Sequence, residues 1–246
     1  MLTENDLERY SRQILYPVFG EEGQKRLQHS HVVVAGAGGL GSPISIYLSC
    51  AGVGRITIID NDFVELSNLN RQILHWDEDI GKKKVDSAEK KLLKLNPTVE
   101  IIPVFEKITE ANVINLIKGA QAVIDGMDNF KARFLLNAAC VAEKIPFIHG
   151  GVWGLLGELT TIIPGKTACF ACIYPEISPT KRPFPVFGAT PGLVASLQVM
   201  EAIKLIADFG TLITGKMLYI DGFNIEFNFS PLIKNPHCKV CGVGSS

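Results

Sequence analysis

Two groups of residues in this sequence have types and spacings that could do chemistry. The first is Gly36, Gly38, Gly39 and Gly41, in a turn between the apolar run HVVVA and a helical stretch that reaches Ala51. Gly36 suits a tight turn, Gly38 lets backbone N–H groups approach a phosphate with no Cβ in the way, and Gly41 lets the helix pack close to the strand. The unpaired N–H groups and partial positive charge of the helix N-terminus then favour an anion. A second apolar run, ITII, ends in Asp60, near the ~20-residue interval at which an acid meets the ribose hydroxyls of a nucleotide. This is an adenine-nucleotide cradle, and by itself it does not choose between NAD, FAD and ATP. The second group is two Cys-x-x-Cys pairs, Cys169 with Cys172 and Cys238 with Cys241. Two such pairs can close a tetrahedral four-thiolate zinc site, which leaves no open position and is therefore structural. His237 reads as a neighbour of that site or as a further ligand to it.

Around the cradle the chain supplies charge. The polar segment after Asp60 carries Asn68 and Arg71, and Lys82, Lys83 and Lys84 open the helix that follows. Several cations beside a phosphate cradle suit a triphosphate better than a dinucleotide. Lys82, Lys83, Lys90, Lys91 and Lys94 read as an ordinary solvated helix face. Further on, AVID ends a strand at Asp125, and Asp128 sits in the next loop or at the N-cap of the next helix. A carboxylate there suits Mg²⁺ on bound phosphates.

The elements that must position these groups alternate. Thr3 and Asp6 form a capping box that opens a polar helix with Arg9 and Arg12, both read from spacing as solvated. A second amphipathic segment leads into the first strand. Strands at HVVVA, ITIID, EIIPVFEKI, AVID and PFIHGG are separated by helices, one of them opened by Thr109, which is the pattern of a doubly wound, mainly parallel α/β sheet. Beyond Val152 the strands GELTTIIPG and KMLYIDGFNIEFNFSPL lack crossover helices and form an antiparallel extension. The helix between them is expected to bury Leu193, Leu197, Met200, Ile203 and Leu205. A proline-rich loop, PEISPTKRPFPVFGATPG, precedes it. Cys50 and Cys140 lie in helical, apolar surroundings and read as core residues.

Composition narrows the class. The 246 residues, 47% of them apolar, suit one large α/β domain: helices over 1–30, a nucleotide-binding core over 31–150 and a zinc-stapled part over 151–246. Lysine and arginine number 24 against 25 acids, a net charge of −1, so no global field points to nucleic acid or to a membrane surface. No apolar run was expected to span a membrane, and the start of the chain lacks a signal pattern, so a cytoplasmic protein is expected.

Taken together, RYSRQ, GAGGLGSP, DNDFVELSNLNRQ, GKKKV, DGMDN, the two cysteine pairs and SLQVMEAIKL resemble the MoeB/ThiF family, bacterial relatives of ubiquitin-activating enzymes, over nearly the whole chain. The resemblance implies ATP- and Mg²⁺-dependent adenylation of the C-terminal glycine of a small ubiquitin-like sulfur carrier protein. It implies Asp60 on the ribose, Asn68, Arg71 and Lys84 on the phosphates, Asp128 on Mg²⁺, and Arg12 reaching into the partner's site of a homodimer. ThiF-like members carry a cysteine in the loop before the long helix, whereas this loop has Lys181 and Arg182 but no sulfur. Sulfur is therefore expected from a separate donor protein. A tRNA-modifying adenylating dehydratase shares the nucleotide core but generally lacks the paired cysteines. An NAD-dependent oxidoreductase would leave Arg71, Lys84 and Asp128 without a role, and a degenerate scaffold would not keep every phosphate ligand.

Overall fold

The structure, a computed structural model, describes residues 1–175 and 184–242. Three short helices come first, α1 (Glu4–Arg9), α2 (Ser11–Ile14) and α3 (Gly20–Gln28). The Thr3–Asp6 capping box is formed. The helical segment breaks at Tyr10, whose backbone leaves the helical region. The core then alternates β1 (His31–Ala35), α4 (Gly41–Ala51), β2 (Arg55–Ile59), α5 (Lys84–Leu95), β3 (Glu100–Val104), α6 (Val113–Ile117), β4 (Ala122–Asp125), α7 (Phe130–Glu143) and β5 (Phe147–Trp153). The remainder is β6 (Leu156–Ile162), α8 (Phe170–Ile173), α9 (Ala189–Ala207), β7 (Lys216–Asp221) and β8 (Glu226–Pro231).

These strands make one eight-stranded sheet in the order β3-β2-β1-β4-β5-β6-β7-β8. The first five are parallel and the last three join antiparallel. The central parallel strands β1, β2 and β4 are buried on both faces and read as short apolar runs rich in β-branched residues. One apolar layer is built from α3, α4, α5 and α9, and the other from α6, α7 and α8. The chain leaves β1 toward β2 while β4 lies on the other side, so the crevice between the loops after β1 and β4 is the topological switch point where such sheets bind ligands.

Some expectations need correcting. Helix α9 buries Val194, Ala195, Gln198, Val199 and Ala202, while Leu193 and Met200 stand exposed. A helix apolar all round does not reveal which face the sheet takes. Length and composition would also let α9 cross a membrane, contrary to expectation, yet it packs on the sheet with Glu201 accepting from Thr161 Oγ1 at 2.6 Å and Gln198 donating to Asp125 and Ile148 carbonyls. The helix placed at Thr109 begins later, at Val113, because Thr109 and Asn112 form a local turn first. Cys140 is buried as expected, but Cys50 is exposed on α4, on the same face as the exposed Tyr47 three residues earlier.

Gly36 adopts φ +101°, and a Cβ on Gly41 would lie 1.8 Å from the Gly36 carbonyl oxygen. A Cβ on Gly38 would have only Gln72 Nε2 nearby, at 3.7 Å. Gly41→Ala should therefore lower the unfolding free energy by about 1–3 kcal/mol, as overpacking does, whereas Gly38→Ala should change it by less than about 1 kcal/mol. Urea unfolding of the two variants checks this, and equal stabilities would contradict the packing role of Gly41.

Candidate active site

The turn after β1 is held by Asp60. Its Oδ2 accepts from the Ala37 N–H at 2.8 Å and its Oδ1 from the Asp62 N–H at 2.8 Å. Partial burial pushes the Asp60 carboxyl above its ordinary value, opposed by the charge of Lys84 and by these two N–H donors. Lys84, at the first turn of α5, is buried, with Nζ 3.0 Å from Asp62 Oδ2, and its N–H donates to the Asp62 carbonyl. Asn61, Asp62, Phe63, Glu65, Asn68 and Lys84 line a polar cavity of about 240 Å³. A buried ammonium opposite one exposed acid is poised to exchange part of that pairing for an anionic ligand.

Asn68 is buried and its Oδ1 accepts from the Glu65 N–H at 3.1 Å, closing the short turn that carries it. Arg71 lies against the glycine turn, its Cγ 3.5 Å from where a Gly39 Cβ would be. Its Nη1 donates to the Ser67 carbonyl and to Asn70 Oδ1, both at 2.9 Å. Across the crevice, the Gly126 N–H donates to the Ala35 carbonyl at 2.8 Å, which sets the loop after β4 beside the turn after β1. Asp128 is exposed in that loop. It does not cap α7, as one reading allowed, because Asn129 fills that place and accepts from the Ala132 N–H.

The structure thus brings Asn68 and Lys84 together around one cavity, ties Asp60 to the turn after β1, sets Arg71 over the glycines and leaves Asp128 in the facing loop after β4. Arg12 is not among them. It is exposed on α2, next to Gln13, which donates to the Ala51 carbonyl at 2.8 Å at the far end of α4. Eleven residues of α4 separate that end from the glycine turn, about 16 Å of helix. Lys91, read as solvated, is instead half-buried, paired with Asp79 and seated over the Trp76 ring. Burial raises the Asp79 carboxyl, but the Lys91 hydrogen bond and the Trp76 N–H hold it well below its ordinary range.

Sequence reasoning missed several polar residues. His75 is buried between Ala37 and Ser87, with Nε2 donating to the Ala37 carbonyl and Nδ1 near Ser87 Oγ, both at 2.9 Å. Burial pushes this imidazole below its ordinary value. Behind the Asp128 loop lies a larger cluster, in which Asp125, fully buried, meets His149 Nδ1 at 2.6 Å and Arg133 Nε at 3.0 Å. The position of Asp125 at the end of β4 was the one local signal; its partners come from distant elements.

The four cysteines converge as expected. Sγ atoms of Cys169 and Cys238 are 3.7 Å apart, those of Cys172 and Cys241 3.4 Å, and all four lie within 4.8 Å of one another. Burial opposes ionisation of Cys238, but N–H groups of Cys241 and Val240 bring its thiol down to about 7. His237 is not in the cluster. Lys181 and Arg182 lie outside the described residues.

Against known proteins, the model of the ThiF family matches residues 10–241. The chain belongs to the ThiF family. It is 41% identical to the SAMP-activating enzyme E1 of Haloferax volcanii, over 99% of this chain and 92% of that protein. It is 36% identical to the sulfur carrier protein adenylyltransferase of Thermus thermophilus, over 98% of this chain and 92% of that protein. A solved structure of E. coli MccB with ATP superposes with a TM-score of 0.84 at 27% identity, covering 98% of this chain and 76% of that one. Membership of this family points to ATP rather than a dinucleotide as the nucleotide used.

Proposed function

We propose that this chain is an adenylyltransferase that activates the C-terminal glycine carboxylate of a small ubiquitin-like sulfur carrier protein with ATP, releasing pyrophosphate. The observation that carries this reading is the buried Lys84 facing a polar cavity beside the glycine turn, with Arg71 over the same turn. The relatives named as SAMP-activating and sulfur carrier adenylyltransferases support it.

In this reading Asp60 orients the ribose, Asn68, Arg71 and Lys84 hold the phosphates, and Asp128 holds Mg²⁺. The carrier's carboxylate is already a nucleophile, so the reaction needs no general base; it attacks the α-phosphorus in line and pyrophosphate leaves. Catalysis is positioning plus neutralisation of the charge that moves onto the leaving oxygens. Arg12, on α2 beside the end of α4 farthest from its own cradle, acts in the partner's site of a homodimer.

The thiol cluster fits zinc. Ligand bonds of about 2.3 Å at tetrahedral angles separate thiolates by about 3.8 Å; three of the six sulfur pairs stand at 3.4 to 3.9 Å and all lie within 4.8 Å. Cys169 and Cys172 would hold the ion with Cys238 and Cys241, joining the start of α8 to the end of the chain. This staple also favours the carrier-activating reading over the dehydratase branch.

The exposed thiol, Cys50, lies at the C-terminal half of α4, about 14 Å of helix from the glycine turn. The other thiols are buried or in the cluster. The product handed on is therefore the acyl-adenylate, with sulfur supplied by a separate donor protein.

Pyrophosphate should exchange into ATP only with Mg²⁺ and a carrier that ends in free glycine, and Asp128→Ala should lower the rate at least ~10²-fold. Mixed dimers of Arg12→Ala and Asp128→Ala subunits should regain part of the wild-type rate. Exchange that ignores the carrier would refute the reading.

Elemental analysis should find about one zinc per chain, and Cys238→Ser should release it and expose the C-terminal segment to protease. Full zinc content in a variant lacking both cysteine pairs would contradict the assignment.

A further inference from the structure

Behind the Asp128 loop, four elements meet at one histidine. His149, on β5, is fully buried, with Nδ1 2.6 Å from Asp125 Oδ2 at the end of β4 and Nε2 3.1 Å from Glu158 Oε1 on β6. Tyr174, just after α8, donates its hydroxyl to the same Glu158 oxygen at 2.6 Å. Arg133, on α7, lies 3.0 Å from Asp125 Oδ2. The rings of Phe170 and Tyr174 pack edge-on against the imidazole.

Both ring nitrogens of His149 therefore face carboxylate oxygens. A neutral imidazole has one N–H and would point a bare lone pair at the second oxygen, whereas an imidazolium donates to both. With Arg133 and His149 positive and Asp125 and Glu158 negative, the buried cluster sums to zero charge, the condition for tolerating ions away from water. Burial alone would push His149 down, but hydrogen bonds to Asp125 and Glu158 outweigh it and hold the imidazole above its ordinary value. Glu158 is correspondingly lowered, to about 2.

The cluster grips the Asp128 loop at both ends of one residue. Asp125 Oδ1 accepts from the Met127 N–H at 2.9 Å, and Arg133 Nη2 donates to the Met127 carbonyl at 2.6 Å and to the Gly150 carbonyl at 3.0 Å. Asp128 follows directly and, among the described residues, is itself held only by Asn129, whose Nδ2 donates to its Oδ1 at 3.3 Å.

We propose that His149 is a doubly protonated positioning residue for the adenylation site: its imidazolium, bridging Asp125 and Glu158, fixes the carboxylate that sets the Met127 peptide and hence the direction of Asp128. This rests on the assignment of Asp128 to Mg²⁺ made above. Groups hydrogen-bonded to a metal ligand typically govern about 10–100-fold in metal affinity, and His149, acting through Asp125 and the Met127 peptide, is expected at the lower end of that range. The charge also gives a pH direction. A folded-state value above the unfolded one stabilises the fold at low pH, and that contribution fades as pH rises through the folded value. The groups facing the ring from every packed element are Asp125, Glu158, Arg133 and Tyr174, so no exposed acid or base substitutes for it.

Nitrogen-15 spectra of the histidine rings should show both His149 nitrogens still protonated at a pH above the ordinary histidine value, where an exposed histidine has lost its second proton. In pyrophosphate exchange, His149→Gln should raise the Mg²⁺ concentration for half-maximal rate about tenfold or more while ATP affinity measured without Mg²⁺ stays unchanged. Adding Glu158→Gln to His149→Gln removes the unpaired carboxylate and should recover part of that loss. A neutral His149 ring in the wild-type protein overturns the proposal whether or not the variants fold, as does a folded His149→Gln variant with the wild-type Mg²⁺ requirement. Absence of exchange in the wild-type protein would instead refute the adenylation reading, and the ring spectra would still decide the charge of His149.

Discussion

Backbone contact at the switch point is the constraint on which the site depends. A Cβ on Gly36 would stand 2.5 Å from the Gly126 carbonyl oxygen, and one on Gly126 would stand 2.9 Å from that of Ala35. Two glycines therefore let the loops after β1 and β4 touch. The turn that offers N–H groups to an anion and the loop that offers Asp128 become the two walls of one crevice. Asp60 adds a second tie by accepting from Ala37, so the acid that closes β2 also shapes the turn after β1.

Charge in this crevice is arranged in tiers. Lys84 is buried but spends its charge on the exposed Asp62, a pairing that water weakens and a polyphosphate could displace. Asp125, Arg133 and His149, buried, and Glu158, partly exposed, balance one another's charge within the protein. The first tier is where binding is expected; the second supplies rigidity. His75 belongs with the second, tying Ala37 to α5 through Ser87.

Most of the fold was readable because its central parallel strands are short, buried runs rich in β-branched residues and separated by helices, and because the cysteine pairs and the glycine turn are local patterns. What escaped was set by distant partners. Lys91 looks like its neighbours along α5 until Asp79 and Trp76 are brought against it. Leu193 and Met200 outrank Ala195 and Ala202 in hydrophobicity, yet the small residues face the sheet because α9 must come close to it. His149 carries no spacing that links it to Asp125 or Glu158, and only the register of β4, β5 and β6 does so. Cys50 was the avoidable error, since the exposed face of α4 also carries Tyr47.

The central claim is that a carrier carboxylate attacks the α-phosphorus of ATP in the cradle of Asp60, Arg71 and Lys84. The most direct measurement follows oxygen-18 from a labelled C-terminal carboxylate of the carrier after the adenylate is cleaved by a sulfur nucleophile. Label found in AMP is the result the account predicts, because the carboxylate oxygen bonded to the α-phosphorus stays there when the acyl carbon is attacked. Label found in inorganic phosphate, with ADP as the nucleotide product, would show attack at the γ-phosphorus and contradict it.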